Sequence, residues 1–128
     1  MALALLVVSA MRSTAHLQGH PVHPMLIPFP FAFLLGSAAL STAARLRPGS
    51  GLNRTASHLN TMGIAAGLLA AVPGIIDYFF SVPPQSSAKE RATRHALANV
   101  TALSLFALAR GGRRHPDAPA DDWAVAAE

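Results

Sequence analysis

The stretch Met25–Leu46, MLIPFPFAFLLGSAALSTAARL, runs for twenty residues before its first charged residue, Arg45. A helix needs about 20 mainly apolar residues to cross the hydrocarbon core of a bilayer. Pro28 and Pro30 stand near the beginning, where the first-turn N–H groups have no partner within the helix, so a regular helix is expected to start near Pro28. The stretch therefore predicts a first membrane crossing.

The composition of the whole chain agrees with a membrane protein. Its 128 residues are 52% hydrophobic and only 12% charged, and soluble domains carry about twice that charged fraction. Because the chain has no cysteine, disulfides, zinc–thiolate sites, iron–sulfur ligation and covalent haem attachment are excluded. The net charge of +4 comes from arginines beside apolar spans, without a basic stripe interleaved with aromatics, so no nucleic-acid partner is expected.

Two further apolar stretches follow the first. One is uncharged until Asp77, and the other, His95–Ala109, is short for a crossing and is lengthened by residues whose flanking arginines can snorkel. We therefore predict an all-α transmembrane bundle of three crossings, with helices at about residues 25–46, 57–80 and 92–110. The bilayer is the expected environment, and the localisation expected is a multi-pass protein of the cell membrane.

Small residues in the first two spans predict where these helices pack. Glycine and serine let helix backbones approach closely in membranes, and the predicted packing positions are Gly36, Ser37, Gly63 and Gly67. Pro73 and Gly74 lie about one turn before Asp77 and predict a kink in the second helix.

The two ends of the chain lie outside the predicted bundle. Residues 1–15 are interpreted as an N-terminal extension, either a short interfacial helix or an over-extended gene start with Met11 as the initiator, the latter being favoured. Residues 16–110 form the transmembrane domain. Residues 111–128 form a hydrophilic tail whose end resembles the start of a fourth helix, with Trp123 suited to the membrane interface. The expectation is a truncated four-helix module.

Four metal-ligand side chains meet at one end of the predicted bundle. With three crossings, the start of the first helix, the end of the second and the start of the third share one membrane face, here called the histidine face. His20, His23, Asp77 and His95 all belong to it. His20 and His23 each precede a proline, which favours extended or polyproline II backbone and sets positions i and i+3 on one side.

These four residues are the predicted site for a metal or a haem. Imidazole suits iron, copper and zinc, and a carboxylate bonded to the far ring nitrogen fixes its tautomer. The hypothesis is a b-type haem, iron or copper held by the histidines, with Asp77 as a ligand or an orienting group, in a redox-associated subunit.

Two alternatives to the metal hypothesis remain open. In the first, Asp77 pairs with Arg91, Arg94 or His95, and the protein is a structural or anchoring subunit without a cofactor. In the second, less favoured, the same groups relay protons or small solutes. An enzyme is not favoured, because the serines lack nucleophile-elbow spacing and HxxH lacks the glutamate of a helical metalloprotease motif. His58 and His115 are expected to be interfacial or solvated, whereas His16 could join the cluster from the histidine face but lies before Gly19 in an expected flexible lead-in.

Three ordered motifs, HPVHPMLIPFP, AAVPGIIDYFF and RATRHALANVTALSLFALAR, carry a family resemblance. Over about residues 16–110 the chain resembles the small predicted bacterial membrane proteins catalogued as domain of unknown function 2231. The resemblance implies a four-helix membrane protein, and similar domains joined to Rieske-type or cytochrome-type modules imply membrane electron transfer with a membrane or periplasmic redox partner. The chain departs from the family pattern by stopping at Glu128, before the glycine-rich fourth helix. A homo-oligomer is a further expectation.

The distribution of basic residues predicts the orientation. Cytoplasmic loops carry an excess of lysine and arginine. Six basic residues lie on the face opposite the histidines and four on the histidine face: Arg45, Arg47, Arg54, Arg110, Arg113 and Arg114 against Arg12, Lys89, Arg91 and Arg94. The histidine face is therefore expected to be extracytoplasmic.

Overall fold

The computed structural model describes residues 12–48, 51–113, 115 and 121–128. Apart from one short hairpin and the connecting loops this part of the chain is helical, which agrees with the all-α prediction. Two short strands come first, β1 (His16–Leu17) and β2 (His20–Pro21), and the helices follow in order: α1 (Val22–Leu26), α2 (Pro28–Leu46), α3 (Leu52–Phe80), α4 (Ser87–Gly111) and α5 (Asp122–Ala127).

The hairpin and α1 correct the polyproline II expectation for His20 and His23. Gln18 and Gly19 both have positive φ, 50° and 84°, as a two-residue type I′ turn requires. His20 is extended, within β2, but His23 lies inside α1. The proline after His23 falls in the first helical turn, where its missing N–H leaves no bond unmade. That placement outweighs the usual bias of a pre-proline residue against helix.

The first two long helices have the length and composition of membrane spans. α2 begins at Pro28 as expected, and Ile27 joins it to α1 with helical backbone angles. The stretches Val22–Leu46 and Leu52–Phe80 are each long and apolar enough to cross a membrane, and within the described residues they are the two that meet this test. Large apolar side chains point outward from both, including Phe31 and Leu69, as lipid-facing residues do.

α3 is the central helix, and it presents a stripe of small residues to its neighbours. It begins at Leu52, earlier than about residue 57, and runs without a break through Pro73. The stripe residues are spaced alternately four and three apart, so they share one face of the helix, and they are Ala56, Asn60, Gly63, Gly67, Ala70 and Gly74.

Side chains of α1, α2 and α4 pack directly on glycines of this stripe; the contact from α1, between His23 and Gly74, is described below with the histidine pair. A β-carbon built on Gly63 would lie 2.5 Å from Leu34 of α2, and one on Gly67 would lie 2.6 Å from Leu103 of α4. Both separations are far below the 3.5–4.0 Å optimum for carbon atoms. Glycine is therefore required at these positions for the helices to approach as they do.

α4 is longer than the sequence indicated and packs mainly through its second half. It begins at Ser87 because the Ser86 hydroxyl accepts a hydrogen bond from the Lys89 backbone N–H at 3.1 Å, which is a standard helix cap. Phe106 and Ala109 are buried, and Leu97 is exposed. α5 then packs on α4, with Ala124 fully buried against Ala109.

Candidate functional site

His23 is held against α3 by a close approach and a hydrogen bond. A β-carbon on Gly74 would lie 2.8 Å from the Cε1 and Nδ1 atoms of the His23 ring, so the ring occupies the space that a larger residue would fill. Nδ1 lies 2.7 Å from the carbonyl oxygen of Ala70. A carbonyl can only accept, so Nδ1 carries the proton, and the neutral ring keeps its lone pair on Nε2.

His95 on α4 faces this ring. The two ring centroids are 6.1 Å apart and the ring planes cross at 79°. The Asn99 amide nitrogen, one turn further along α4, lies 2.9 Å from His95 Nε2 and 2.8 Å from the His95 carbonyl oxygen. Because this nitrogen donates, Nε2 accepts. His95 is exposed on its outer side, so the pair is open to solvent or lipid headgroups.

The structure places the other two predicted ligands elsewhere. His20 is exposed in β2, and within the described part of the chain the one recorded contact between histidine rings joins His23 and His95. Asp77 lies near the end of α3 and is half-buried. Among residues 12–48, 51–113, 115 and 121–128, no three histidine, aspartate or glutamate side chains come together to hold an ion.

The carboxylate of Asp77 binds the segment that precedes the hairpin. Ser13 Oγ donates to both of its oxygens at 2.7 and 2.8 Å, and the backbone N–H groups of Thr14 and Ala15 donate at 2.8 and 3.1 Å. Ser81 Oγ, one turn later on α3, adds a bond of 3.0 Å. Asp77 thus anchors the chain entering the bundle, and in the described residues its hydrogen bonds reach neither an arginine nor an imidazole.

Other polar contacts tie α3 to α4 at the same end. The hydroxyl of Tyr78 lies 2.8 Å from that of Thr93. Lys89 donates to the Tyr78 carbonyl oxygen and sits 3.4 Å from the centroid of the Tyr78 ring, a cation–π arrangement. An open cleft of about 230 Å³ lies beside Asp77, between the hairpin and the start of α4. Hydrogen bonds therefore join the end of α3 both to the start of α4 and to the segment before the hairpin.

A second polar cluster, which the sequence did not reveal, lies toward the other end of the bundle. The side chains of Arg113 and Glu128 are fully buried and pair at 2.7 Å. Glu128 also accepts from Ser41 Oγ and, at 2.9 Å, from the amide nitrogen of Asn60. The sequence predicts Arg113 to be one of the basic residues on the cytoplasmic face. Glu128 lies at the end of a hydrophilic stretch, where no periodic pattern predicts its burial.

The other predicted residues lie either in contacts between helices or on the surface. Ser37 is fully buried and donates to the Ala56 carbonyl oxygen at 3.0 Å. A β-carbon on Gly36 would approach Leu59 to 3.1 Å. The remaining histidines are exposed: His16, His58 and His115.

Comparison with known families bears on the same stretch of chain. The model of the family described as predicted membrane protein, DUF2231, matches residues 19–127. No curated protein and no solved structure matches the chain. The match begins at Gly19, the second residue of the hairpin turn, and includes the five described helices, both members of the histidine pair and the arginine of the buried polar cluster. The chain belongs to the DUF2231 family of predicted membrane proteins.

Proposed function

We propose that this protein crosses the membrane three times and binds a transition-metal ion between His23 and His95 at its extracytoplasmic end, as a subunit of a membrane redox system. The observation that carries the proposal is the paired rings, 6.1 Å apart, one of them fixed by a carbonyl. α4 is proposed as the third crossing: its uncharged part, His95–Ala109, reaches about 22 Å at 1.5 Å per residue, short of the hydrocarbon core of about 30 Å, and Arg94 and Arg110 snorkel at its two ends.

The ring spacing suits a shared ion. At metal–nitrogen bonds of about 2.0 Å, two imidazoles on one ion have ring centroids about 5 Å apart in tetrahedral geometry and about 6 Å apart when they lie opposite each other. The observed 6.1 Å is close to the second arrangement. Opposed imidazoles are also how a b-type haem is held. Imidazole ligands suit copper, iron and zinc, of which the first two support electron transfer.

The tautomer of His23 favours ligation by its outer nitrogen. Ligating histidines almost always donate their other N–H to a carbonyl or carboxylate, and the Ala70 carbonyl takes that part here. For His95, ligation through Nε2 requires the Asn99 amide to turn away, and ligation through Nδ1 requires the ring proton to move to Nε2, so that Asn99 must present its amide oxygen in place of its nitrogen. The site is therefore proposed with two protein ligands, in place of the predicted set of four.

The test is metal binding by the detergent-purified protein and matched histidine variants. We expect stoichiometric copper or zinc on titration, or a Soret band if the occupant is haem, and a loss of affinity of at least about 100-fold for His23→Ala and for His95→Ala. His58→Ala is the matched control, since His58 is exposed on α3. Absence of both metal and haem from the folded wild-type protein, or an equal loss in the control, would refute the proposal.

A second candidate is a structural subunit without a cofactor. The bonds from Asp77 to Ser13, Thr14 and Ala15, and from Tyr78 to Thr93, support it, because they knit helix ends together without any ligand. On this account His23→Ala and His95→Ala fold normally, bind the same trace of metal as wild type, and still assemble with the same membrane partner or with further copies of the chain.

A further inference from the structure

Four groups from two helices, α2 and α3, and from the loop after α4 converge on one carboxylate. Glu128 accepts hydrogen bonds from Arg113 Nη2 at 2.7 Å, from Asn60 Nδ2 at 2.9 Å, and from the hydroxyls of Ser41 and Ser37, the latter at 3.4 Å. Ser37, Ser41, Asn60 and Arg113 are called the carboxylate pocket below. All four are at least 96% buried, with Arg113 the most exposed at 4%.

The pocket has more hydrogen-bonding capacity than Glu128 uses. Within the described residues, Arg113 Nε and Nη1 and Asn60 Oδ1 are buried and bond to no protein atom. An unpaired buried donor or acceptor costs about 1–3 kcal/mol, and more when it is charged. The two Arg113 atoms are donors, so a free carboxylate, which can turn in ways that the tethered carboxylate of Glu128 cannot, has donors available that Glu128 does not use.

The segment that carries Glu128 is held lightly. α5 has six residues, and its apolar contact with α4 is small: Ala124 against Ala109, with the partly buried Val125 and Ala127 packed against them. Asp122, at its start, pairs with Arg45 on the surface, where the Asp122 side chain is 95% exposed, and exposed pairs contribute about 0–1 kcal/mol. The four pocket residues lie on α2, on α3 and just after α4, and none of them belongs to α5.

We propose that the carboxylate pocket is a binding site for a small free carboxylate, and that Glu128 occupies it as an internal competitor. A carboxylate from solution replaces that of Glu128 with the charge of the pair unchanged, so Arg113 is never left as an unpaired buried cation, which would be strongly unfavourable. This site lies at the opposite end of the bundle from the histidine pair and does not depend on metal binding.

The test opens the pocket by removing its internal occupant. In Glu128→Ala, purified in detergent, we expect acetate to raise the unfolding temperature along a saturating curve, as a ligand of the folded state does. Sodium chloride at the same ionic strength and pH should not do so. In wild type the Glu128 side chain competes at an effective concentration in the millimolar range or above, so the acetate midpoint should be at least about tenfold higher.

The control and a second readout keep the outcome clear. Asp122→Ala removes an exposed carboxylate from the same short helix and should leave the acetate response at the wild-type level. Trp123, the only tryptophan of the chain, lies on α5 against Gly112, so its emission reports the displacement of α5 when acetate enters the wild-type pocket.

Two results would overturn the proposal. One is a folded Glu128→Ala protein whose unfolding temperature depends on ionic strength but not on acetate. The other is an acetate response in Asp122→Ala as large as that in Glu128→Ala. If Glu128→Ala does not fold, Glu128→Gln takes its place: the amide keeps the shape of the side chain but pairs weakly with Arg113, so acetate should compete at a lower concentration than in wild type, and an unchanged midpoint would count against the site.

Discussion

Replacing Gly74 by alanine tests how the histidine pair is built. The new β-carbon would lie 2.8 Å from Cε1 and from Nδ1 of His23, whereas non-bonded carbons prefer 3.5–4.0 Å. The ring must therefore move outward by about 0.7 Å or more. That movement weakens or breaks the bond from Nδ1 to the Ala70 carbonyl, now 2.7 Å long, and it changes the angle at which the ring faces His95.

The expected change in stability follows from three contributions. Alanine is favoured over glycine within a helix by about 1 kcal/mol. Overpacking costs about 1–3 kcal/mol, and losing the hydrogen bond costs about 0.5–1.5 kcal/mol. The costs exceed the gain, so Gly74→Ala should be destabilised by about 0.5–3.5 kcal/mol. If the pair binds an ion, affinity should also fall by about 10- to 100-fold, as it does when a ligating histidine loses the hydrogen-bond partner that orients its ring.

Gly111→Ala is the matched control for this variant. Gly111 ends α4, and no atom lies within 4 Å of a β-carbon built there. Its replacement should leave stability unchanged or raise it by up to about 1 kcal/mol. Thermal unfolding followed by circular dichroism in the same detergent gives both values. If Gly74→Ala proved as stable as Gly111→Ala, the seating of His23 on α3 would be refuted.

Two further substitutions test other contacts. Gly63→Ala should destabilise the protein by about 1–3 kcal/mol in the same unfolding assay, because the new β-carbon meets Leu34 of α2; a gain in stability would mean that α2 and α3 are not in close contact there. Asp77→Ala should release the chain before the hairpin and speed hydrogen exchange of the Ala15 amide by at least about tenfold, since its acceptor is the Asp77 carboxylate and bonds to charged groups contribute about 1.5–3 kcal/mol. An Ala15 amide that stayed protected in this variant would contradict the anchoring role of Asp77.

Hydropathy predicted the long helices because their pattern is local and strong. The start of α2 at Pro28 could be predicted from where proline is tolerated. The starts of α3 and α4 were placed too late, since polar residues such as Arg54 and Lys89 lie within these helices. Charge distribution marks where lipid begins, whereas the helix continues into the interface as long as its backbone and caps allow.

The histidine face was predictable from topology, but its atomic contacts were not. Alternating crossings bring His23, Asp77 and His95 to one end, and the structure places all three there. Which of them touch depends on the hairpin, whose Gln18-Gly19 turn lacks the Asn-Gly signal of a type I′ turn. The hairpin carries Ser13 to Asp77, so the carboxylate is engaged by hydroxyl and backbone donors before any imidazole can reach it.

The carboxylate pocket could not be predicted, because its residues are far apart in sequence. Ser41 and Asn60 look like ordinary polar residues in small-residue spans. Arg113 and Glu128 read as solvated charges in a hydrophilic tail. Their pairing requires α5 to fold back onto the long helices. A six-residue helix is too short for a periodic pattern that would predict this contact.

The glycine stripe of α3 also limits how the bundle can move. Three side chains each pack into the gap left by a different glycine of α3: Leu34 of α2, Leu103 of α4 and His23 of α1. For any of these helices to slide along α3, its inserted side chain would first have to leave the gap at the glycine. The helices are therefore locked in register, and a rearrangement of the bundle must begin by separating helices sideways. Of these three side chains that of His23 is the polar one, so an ion bound to its outer nitrogen would further resist the separation of α1 from α3.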